Sequence, residues 1–129
     1  MTSAATVLVP RCFKVTRRYG TRSPFRRPRS HVVELVRYGI AVAVKAAGVS
    51  LHEFGIEAQR VRLVLSATDA QLEVFIERLD AVVSAGSEGT TGFWRRGLPH
   101  EALPLEDDAA IVQACVEVIA PASVRARRQ

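Results

Sequence analysis

Residues 49–67 read Val-Ser-Leu-His-Glu-Phe-Gly-Ile-Glu-Ala-Gln-Arg-Val-Arg-Leu-Val-Leu-Ser-Ala. The stretch has the pattern of two short strands joined by a tight turn, and the second strand begins with Arg60-Val61-Arg62. Because side chains alternate in direction along a strand, Arg60 and Arg62 are predicted to share one face and the apolar residues the other. The two cations either keep an edge strand from pairing with other chains or belong to a binding site.

Helices are predicted on both sides of this stretch. Ser30 is a suitable N-cap for a helix whose apolar residues recur at helical spacing, and Gly48 suits the left-handed residue that follows its last turn. Thr68 or Asp69 caps a second helix with a regular apolar stripe. Gly55, inside the first central strand, indicates either a bulge or a close approach by another backbone.

Before the first of these helices, the sequence predicts a strand that begins near Arg11, after Pro10, and a basic loop over residues 18–29. The chain after it predicts a glycine-rich connection followed by Phe93 and Trp94, as a short strand or a hydrophobic plug, and no regular structure between Pro99 and Pro104. A last helix is predicted from Asp107 or Asp108 through Ala120. Its inward residues are expected to be Ile111, Val112, Cys115, Val118 and Ile119. Pro121 is expected to end this helix and to leave residues 122–129 as a frayed basic tail.

The order of these elements predicts an α+β fold in a single domain over residues 1–129. Strand, helix, strand, strand and helix are followed by the short strand or plug and then by another helix. This order corresponds to a ferredoxin-like split sandwich with an antiparallel sheet and helices packed on one face. A length of 129 residues fits one domain, and an apolar content of 48% argues against a disordered chain. No apolar run reaches the roughly 18 residues that span a bilayer, and the first residues lack the features of a secretory signal. We therefore expect a cytoplasmic protein with no membrane partner, in which Cys12 and Cys115 are free thiols.

Positive charge is concentrated near the start of the chain. The 18 basic residues exceed the 13 acidic ones by five, and no Asp or Glu precedes Glu34. Eight basic residues precede Glu34: Arg11, Lys14, Arg17, Arg18, Arg22, Arg26, Arg27 and Arg29. Arginine suits planar, two-pronged contact with phosphate, so a polyanion partner is one interpretation and solubility alone is the other.

The residues by themselves define no complete catalytic site. The three histidines, His31, His52 and His100, have no metal-ligand spacing to one another or to Cys and carboxylates. Cys115 lies in an apolar stripe, where a small hydrophobic residue is the usual role. No glycine-rich phosphate loop occurs in the sequence.

Five segments, in consistent order, carry a resemblance to a known family. They are Phe13-Lys14-Val15-Thr16-Arg17-Arg18; Arg22 with Phe25, Arg27 and Pro28; Tyr38 to Ala43 followed by Gly48 to His52; Gln59-Arg60-Val61-Arg62-Leu63-Val64-Leu65; and Val116 to Pro121. In these segments the chain resembles the single-tyrosine, HUH-type, IS200-like transposases, in particular their REP-associated relatives in bacteria. The fourth segment corresponds to the family's Asn-His-x-His-Leu-x-Leu, and the fifth to its Tyr-x-Leu-x-Asn-Pro.

The resemblance implies a degenerate family member. In the family, the two histidines help bind a divalent metal, Mg or Mn, and a helix tyrosine attacks single-stranded DNA. Here Arg60 and Arg62 occupy the histidine positions, and Val116, with Cys115 beside it, occupies the tyrosine position. Arginine has no lone pair for a metal. The resemblance therefore implies a transposase-like DNA-binding domain without metal cofactor, metal ligands or catalytic residues.

Binding is the function that such a chain could keep. The predicted nucleic-acid-binding residues are Arg17, Arg18, Arg22, Arg27, Arg60 and Arg62, and the expected partner is single-stranded or hairpin DNA. Two alternatives stay open: a non-enzymatic dimerising or regulatory module, with a homodimer as one form, and a decayed remnant with no present role.

Overall fold

The computed structural model describes residues 9–18, 29–57, 60–86 and 101–128, with the side chains of 29–32 and 120–128 excepted. The chain forms β1 (Arg11–Arg18), α1 (Arg29–Ala47), β2 (Ser50–Ile56) and β3 (Arg60–Ala67). These are followed by α2 (Asp69–Gly86), β4 (Glu101–Leu105) and α3 (Asp108–Arg128). The expected basic loop beyond Arg18 and the expected strand or plug at Phe93 and Trp94 lie outside the described residues.

The four strands form one antiparallel sheet in the order β2-β3-β1-β4. This order, with a helix after β1 and after β3, is the split α+β arrangement that the sequence predicts, and the fold class is confirmed. The bulge in β2 falls between Leu51 and Glu53, so it is not located at Gly55.

Two helix ends confirm the sequence prediction. Gly48 follows α1 with a φ of 73°, the left-handed conformation that glycine adopts without cost. At the start of α2, the Gln71 amide donates to Thr68 Oγ1 and the Thr68 amide donates to Gln71 Oε1. This reciprocal capping box satisfies two backbone donors, which explains why the helix begins there.

The main core lies between the sheet and helices α1 and α2. One face of β1 and β3 is largely apolar, and it packs against apolar side chains of the two helices. The strands contribute Phe13, Val15, Val61, Leu63 and Leu65, α1 contributes Val36 and Ile40, and α2 contributes Phe75 and Leu79. The expectation of helices on one face holds for these two. Helix α3 lies against the opposite face, where a smaller cluster joins Cys12 and Val64 of the sheet to Ala114 and Val118 of the helix. The sheet is thus covered on both faces because β1 and β3 also present a few apolar side chains there.

Two predictions about proline positions are wrong. Pro104 lies inside β4, where the sequence predicts no regular structure. In the sheet formed by the described residues, β4 is an edge strand beside β1, and a residue without an amide donor is tolerated there. Pro121, which the sequence predicts to end the helix, lies inside α3, which extends to Arg128.

The inward face of α3 also differs from its prediction. Val112 and Ile119, expected to be inward, are exposed, whereas Ala114 is buried with Val118. The helix therefore packs against the sheet through a narrow row of side chains and leaves other apolar side chains exposed to solvent.

Among the described residues, none of the helices combines the length and apolar content needed to cross a bilayer.

Candidate nucleic-acid interface

The sheet face beneath α3 is polar at the end of β1 and the start of β3. We call this part the polar face, and its side chains are Lys14, Thr16, Arg18, Arg60 and Arg62. The antiparallel register pairs Thr16 with Arg62 and Arg18 with Arg60. Paired residues of neighbouring strands lie on the same face, so the prediction that Arg60 and Arg62 share a face is confirmed.

Arg62 is the buried cation of the polar face. Only 8% of the residue is exposed. Its Nε donates to Glu57 Oε2 at 2.6 Å, and its Nη2 donates to the backbone carbonyl of Glu117 in α3 at 2.9 Å. Arg62 therefore connects both the β2–β3 turn and α3 to the centre of the sheet. This positioning role is not indicated by the sequence.

The contact between Arg62 and the Glu117 carbonyl explains how α3 passes Pro121. In a regular α-helix, this carbonyl would accept a hydrogen bond from the amide of residue 121, four positions later. Proline has no amide hydrogen, so the carbonyl loses that donor. The guanidinium of Arg62 supplies a donor from outside the helix. The hydrogen bond from Arg62 thus replaces the one that Pro121 cannot donate. The sequence around Pro121, taken by itself, predicts that the helix ends there.

Gly55 allows α3 to approach the sheet closely at the same place. It lies opposite Arg62 in the β2–β3 register. A Cβ atom at Gly55 would lie 2.7 Å from the Val118 carbonyl oxygen and 3.2 Å from Val118 Cγ1. Of the two interpretations that the sequence allows for Gly55, close approach by another backbone is the correct one.

The other cations of the polar face are more exposed and more weakly paired. The Arg18 side chain is 38% exposed and its Nη2 lies 3.9 Å from Glu101 Oε1. The Arg60 side chain is 33% exposed and its Nε lies 3.4 Å from Glu57 Oε1. Both distances exceed that of a strong charge-assisted hydrogen bond. An anionic ligand could therefore compete with either carboxylate.

Lys14 connects the polar face to α3. Its Nζ donates to Glu117 Oε1 at 3.0 Å, and Gln113 lies one helical turn before Glu117. The hydrogen bond from Lys14 lowers the pKa of the Glu117 carboxyl, with further contributions from Gln113 and the charge of Lys14. An open cavity of about 270 Å³ lies beside Lys14 and Thr16 and is bounded by Glu101, Ala102 and Leu103 of β4.

Carboxylates offset much of the charge of the polar face. Each cation of the face lies within 4 Å of a carboxylate: Glu57, Glu101 or Glu117. These acidic partners are not among the residues predicted from the sequence. Glu57 was recognisable as the residue that precedes the turn into Arg60, but Glu117 is 103 positions from Lys14 and gives no local signal.

The structure does not bring all the predicted binding residues together. Arg17 lies on the opposite face, where its Nε and Nη2 donate to the two carboxylate oxygens of Asp80 in α2, at 3.1 and 2.6 Å. That pair joins β1 to α2. Arg22 and Arg27 lie outside the described residues. Arg18, Arg60 and Arg62 are therefore the predicted arginines that the structure places on one face.

The position that resembles the family's tyrosine does not face the polar face. Val116 is 54% exposed on the outer side of α3, whereas Glu117 accepts a hydrogen bond from Lys14 and another from Gln113 of the same helix. Among the described residues, no three His, Cys, Asp or Glu side chains are grouped closely enough to hold a metal ion. His52 is hydrogen bonded through Nε2 to Ser66 Oγ at 2.7 Å.

Both cysteines are free thiols and belong to the small apolar cluster under α3. Burial raises the pKa of the Cys12 thiol, and burial followed by the charge of Glu53 raises the pKa of the Cys115 thiol. A raised pKa leaves less reactive thiolate near neutral pH. We expect both thiols to react more slowly with an aromatic disulfide reagent at pH 8 than the unfolded chain does in denaturant. Equal rates in the two states would contradict the burial of these side chains.

Comparison with known proteins supports the fold at low sequence identity. No protein-family model and no curated protein sequence matches the chain. A REP-associated tyrosine transposase, solved bound to a REP hairpin, superposes with a TM-score of 0.63 and 7% identity, over 88% of this chain and 67% of that one. A protein of Deinococcus radiodurans R1 assigned as a transposase superposes with a TM-score of 0.54 and 13% identity, over 84% and 89% of the two chains. The chain therefore has the fold of these transposase structures.

Proposed function

We propose that the polar face binds single-stranded or hairpin DNA through phosphate contacts and that the chain does not cleave the strand. The observation that carries the proposal is the pairing of Arg18 with Arg60 across β1 and β3, which places two partly exposed guanidinium groups side by side. Guanidinium groups bind phosphate oxygens through paired hydrogen bonds without a metal.

The structural neighbours support a nucleic-acid partner. One of them is a transposase solved with a hairpin bound, and its fold matches that of this chain. Further positive charge comes from Arg22, Arg26 and Arg27, which have no acidic residue among them in the sequence between β1 and α1. We propose that these residues extend the phosphate contacts that Arg18 and Arg60 begin.

The absence of strand cleavage follows from the residue types. Arg60 and Arg62 stand at the positions that resemble the family's metal-binding histidines, and a guanidinium cannot coordinate a cation. Arg62 is also engaged by Glu57 and by α3. On α3, the carboxylate of Glu117 is bonded to Lys14 of the polar face, and Gln113 donates to that carboxylate. Neither side chain replaces a tyrosine nucleophile.

A salt series with single-stranded and hairpin DNA tests the binding. We expect the Arg60→Met variant to lower the slope of log affinity against log salt by about 0.7, which corresponds to about fivefold weaker binding near 0.1 M salt. Arg18→Met should have a similar effect, and the double variant should combine the two. Fluorescence anisotropy with labelled oligonucleotides measures both quantities.

The matched control is Arg78→Met. Arg78 is an exposed arginine on α2, which covers the opposite face of the sheet, so this variant removes one charge without touching the polar face. An equal loss of affinity in the Arg78 and Arg60 variants would show that binding follows net charge and would contradict a site on the polar face. Strand cleavage by the native protein with added manganese would contradict the proposed loss of chemistry.

A further inference from the structure

The open cavity between β1 and β4 lies next to Arg18, one of the two arginines proposed to bind phosphate. We call it the β4 cavity; its volume is about 270 Å³, and it is lined by Lys14, Thr16, Glu101, Ala102 and Leu103. The β1–β4 register pairs Thr16 with Glu101 and Lys14 with Leu103, so these four side chains project from the same face of the sheet. Arg18 follows Thr16 by two positions, or about 7 Å along the strand.

Thr16 is a buried polar residue whose hydroxyl has no hydrogen-bond partner in the described part of the chain. Only 7% of the residue is exposed. Most buried hydroxyl groups in folded proteins are hydrogen bonded, because an unpaired one has lost its contacts with water and gained none in return. Since Thr16 lines the β4 cavity, we expect its partner to be a group that enters this cavity.

Glu101 makes the β4 cavity unsuited to phosphate itself. Its side chain is 71% exposed, and its Oε1 lies 3.9 Å from Arg18 Nη2, which is longer than a strong charge-assisted hydrogen bond. A carboxylate repels phosphate, and it accepts hydrogen bonds but donates none. The ligand group that suits this position is therefore a neutral donor that lies next to a phosphate on Arg18.

We infer that the β4 cavity binds the 2′-hydroxyl of a ribose, so that the polar face prefers single-stranded RNA to DNA. The inference rests on the proposed phosphate contacts of Arg18 and Arg60. Sugars and phosphates alternate along a strand, so a phosphate on Arg18 brings a sugar beside Thr16 and Glu101. The 2′-hydroxyl is both a donor and an acceptor. It donates to the carboxylate of Glu101 and accepts from the hydroxyl of Thr16, as acidic side chains accept from ribose hydroxyls in dinucleotide sites.

A sugar fits the β4 cavity better than a base does. The described residues that line the cavity include no aromatic side chain on which a base would stack, and such stacking supplies much of the affinity of proteins for unpaired bases. Leu103, which is 58% exposed, instead offers aliphatic carbon atoms to the carbon atoms of a sugar ring. The short distance from Glu101 to Arg18 also places the cavity beside the backbone of the strand rather than beyond it.

Oligo(U) and oligo(dU) of equal length differ only in the 2′-hydroxyl and provide the test. We expect the native chain to bind oligo(U) about tenfold more tightly at equal salt, which corresponds to one hydrogen bond to a charged group. Oligo(U) with 2′-fluoro sugars keeps the sugar conformation of RNA but lacks the donor, so it should bind like oligo(dU). Fluorescence anisotropy measures the three affinities on the native protein.

Two variants locate the preference at the β4 cavity. Thr16→Val removes the hydroxyl at nearly constant volume, and Glu101→Met removes the carboxylate. Each should lower the preference for RNA to about threefold or less. Glu101→Met should also strengthen the binding of both strands, because one negative charge is lost.

Glu77→Met is the matched control for the loss of charge. Glu77 is an exposed glutamate on α2, which covers the opposite face of the sheet. This variant should change the affinities for oligo(U) and oligo(dU) by the same factor and leave their ratio unchanged. Unchanged unfolding midpoints in all three variants will show that their folds are intact.

Four outcomes would overturn the inference. Equal affinity for oligo(U) and oligo(dU) would remove the ribose site and leave the proposed phosphate contacts standing. An RNA preference that is unchanged in both cavity variants would show that the 2′-hydroxyl is bound elsewhere. A preference between bases that Glu101→Met abolishes, without any preference for ribose, would assign the cavity to a base. No binding of either oligonucleotide at low salt would contradict both the inference and the proposed function.

Discussion

Replacing Arg62 with methionine is expected to lower the free energy of unfolding by about 3 kcal/mol. The change leaves the Glu57 carboxylate, whose side chain is only 12% exposed, without its closest partner at 2.6 Å. It also leaves the Glu117 carbonyl without the donor that substitutes for the missing amide of Pro121. The loss should be near the lower limit for a broken buried ion pair, because Arg60 remains 3.4 Å from Glu57. Urea denaturation followed by circular dichroism measures the change.

Two further variants separate the two contacts of Arg62. Removing Glu57 as well, in an Arg62→Met/Glu57→Leu double variant, should recover much of the lost stability, since no unpaired charge is then buried. Pro121→Ala restores an amide donor within α3. We therefore expect Arg62→Met to cost less in the Pro121→Ala background than in the native chain, by about 1 kcal/mol.

The matched control for Arg62 is Arg60→Met, which removes the same charge from the same strand. Arg60 is partly exposed and its ion pair is long, so we expect a loss below about 1 kcal/mol. Equal losses for the two arginines would contradict the positioning role of Arg62. If the cost of Arg62→Met were the same with and without Pro121, the contact with the Glu117 carbonyl would have no part in holding α3.

Replacing Gly55 with valine is expected to lower the free energy of unfolding by about 2–3 kcal/mol. The new Cβ would lie 2.7 Å from the Val118 carbonyl oxygen, and that atom belongs to the backbone of α3 and cannot rotate away. The helix must then move off β2, which separates Val118 from Val64 and lengthens the contact between Arg62 and α3. Faster amide exchange in α3 than in α1 would show that the damage is local to this helix.

Gly86→Ala is the control for Gly55. A Cβ at Gly86, at the end of α2, meets the end of the Leu35 side chain, which can adopt another rotamer. Alanine is also the better helix former, so we expect a change close to zero. Gly55→Ala should fall between the two, because it introduces the clash without the branched methyl groups. A neutral Gly55→Val would mean that α3 does not approach β2 as closely as the structure shows.

Local patterns in the sequence determined the fold class, the first three strands, α1, α2 and the start of α3, but not β4 or the end of α3. Alternation of apolar and polar residues predicted β1 and β3 and the shared face of Arg60 and Arg62. Helical spacing predicted α1 and α2, and Gly48 and Thr68 predicted where they end and begin. These signals succeed because they relate residues two to four positions apart, whose geometry is set by the local backbone. The resemblance in motifs predicted the fold that the transposase structures share with this chain.

Only the tertiary structure decided what the charged residues do. Arg17 and Arg18 are neighbours in sequence, but their side chains lie on opposite faces of the sheet. Arg17 is bonded to Asp80 of α2, whereas Arg18 belongs to the polar face. The continuation of α3 beyond Pro121 depends on a donor 55 positions away from Glu117. Such contacts depend on strand register and on how closely α3 packs against the sheet at Gly55. No local pattern encodes these quantities, because each arises from the packing of elements that are distant in the chain.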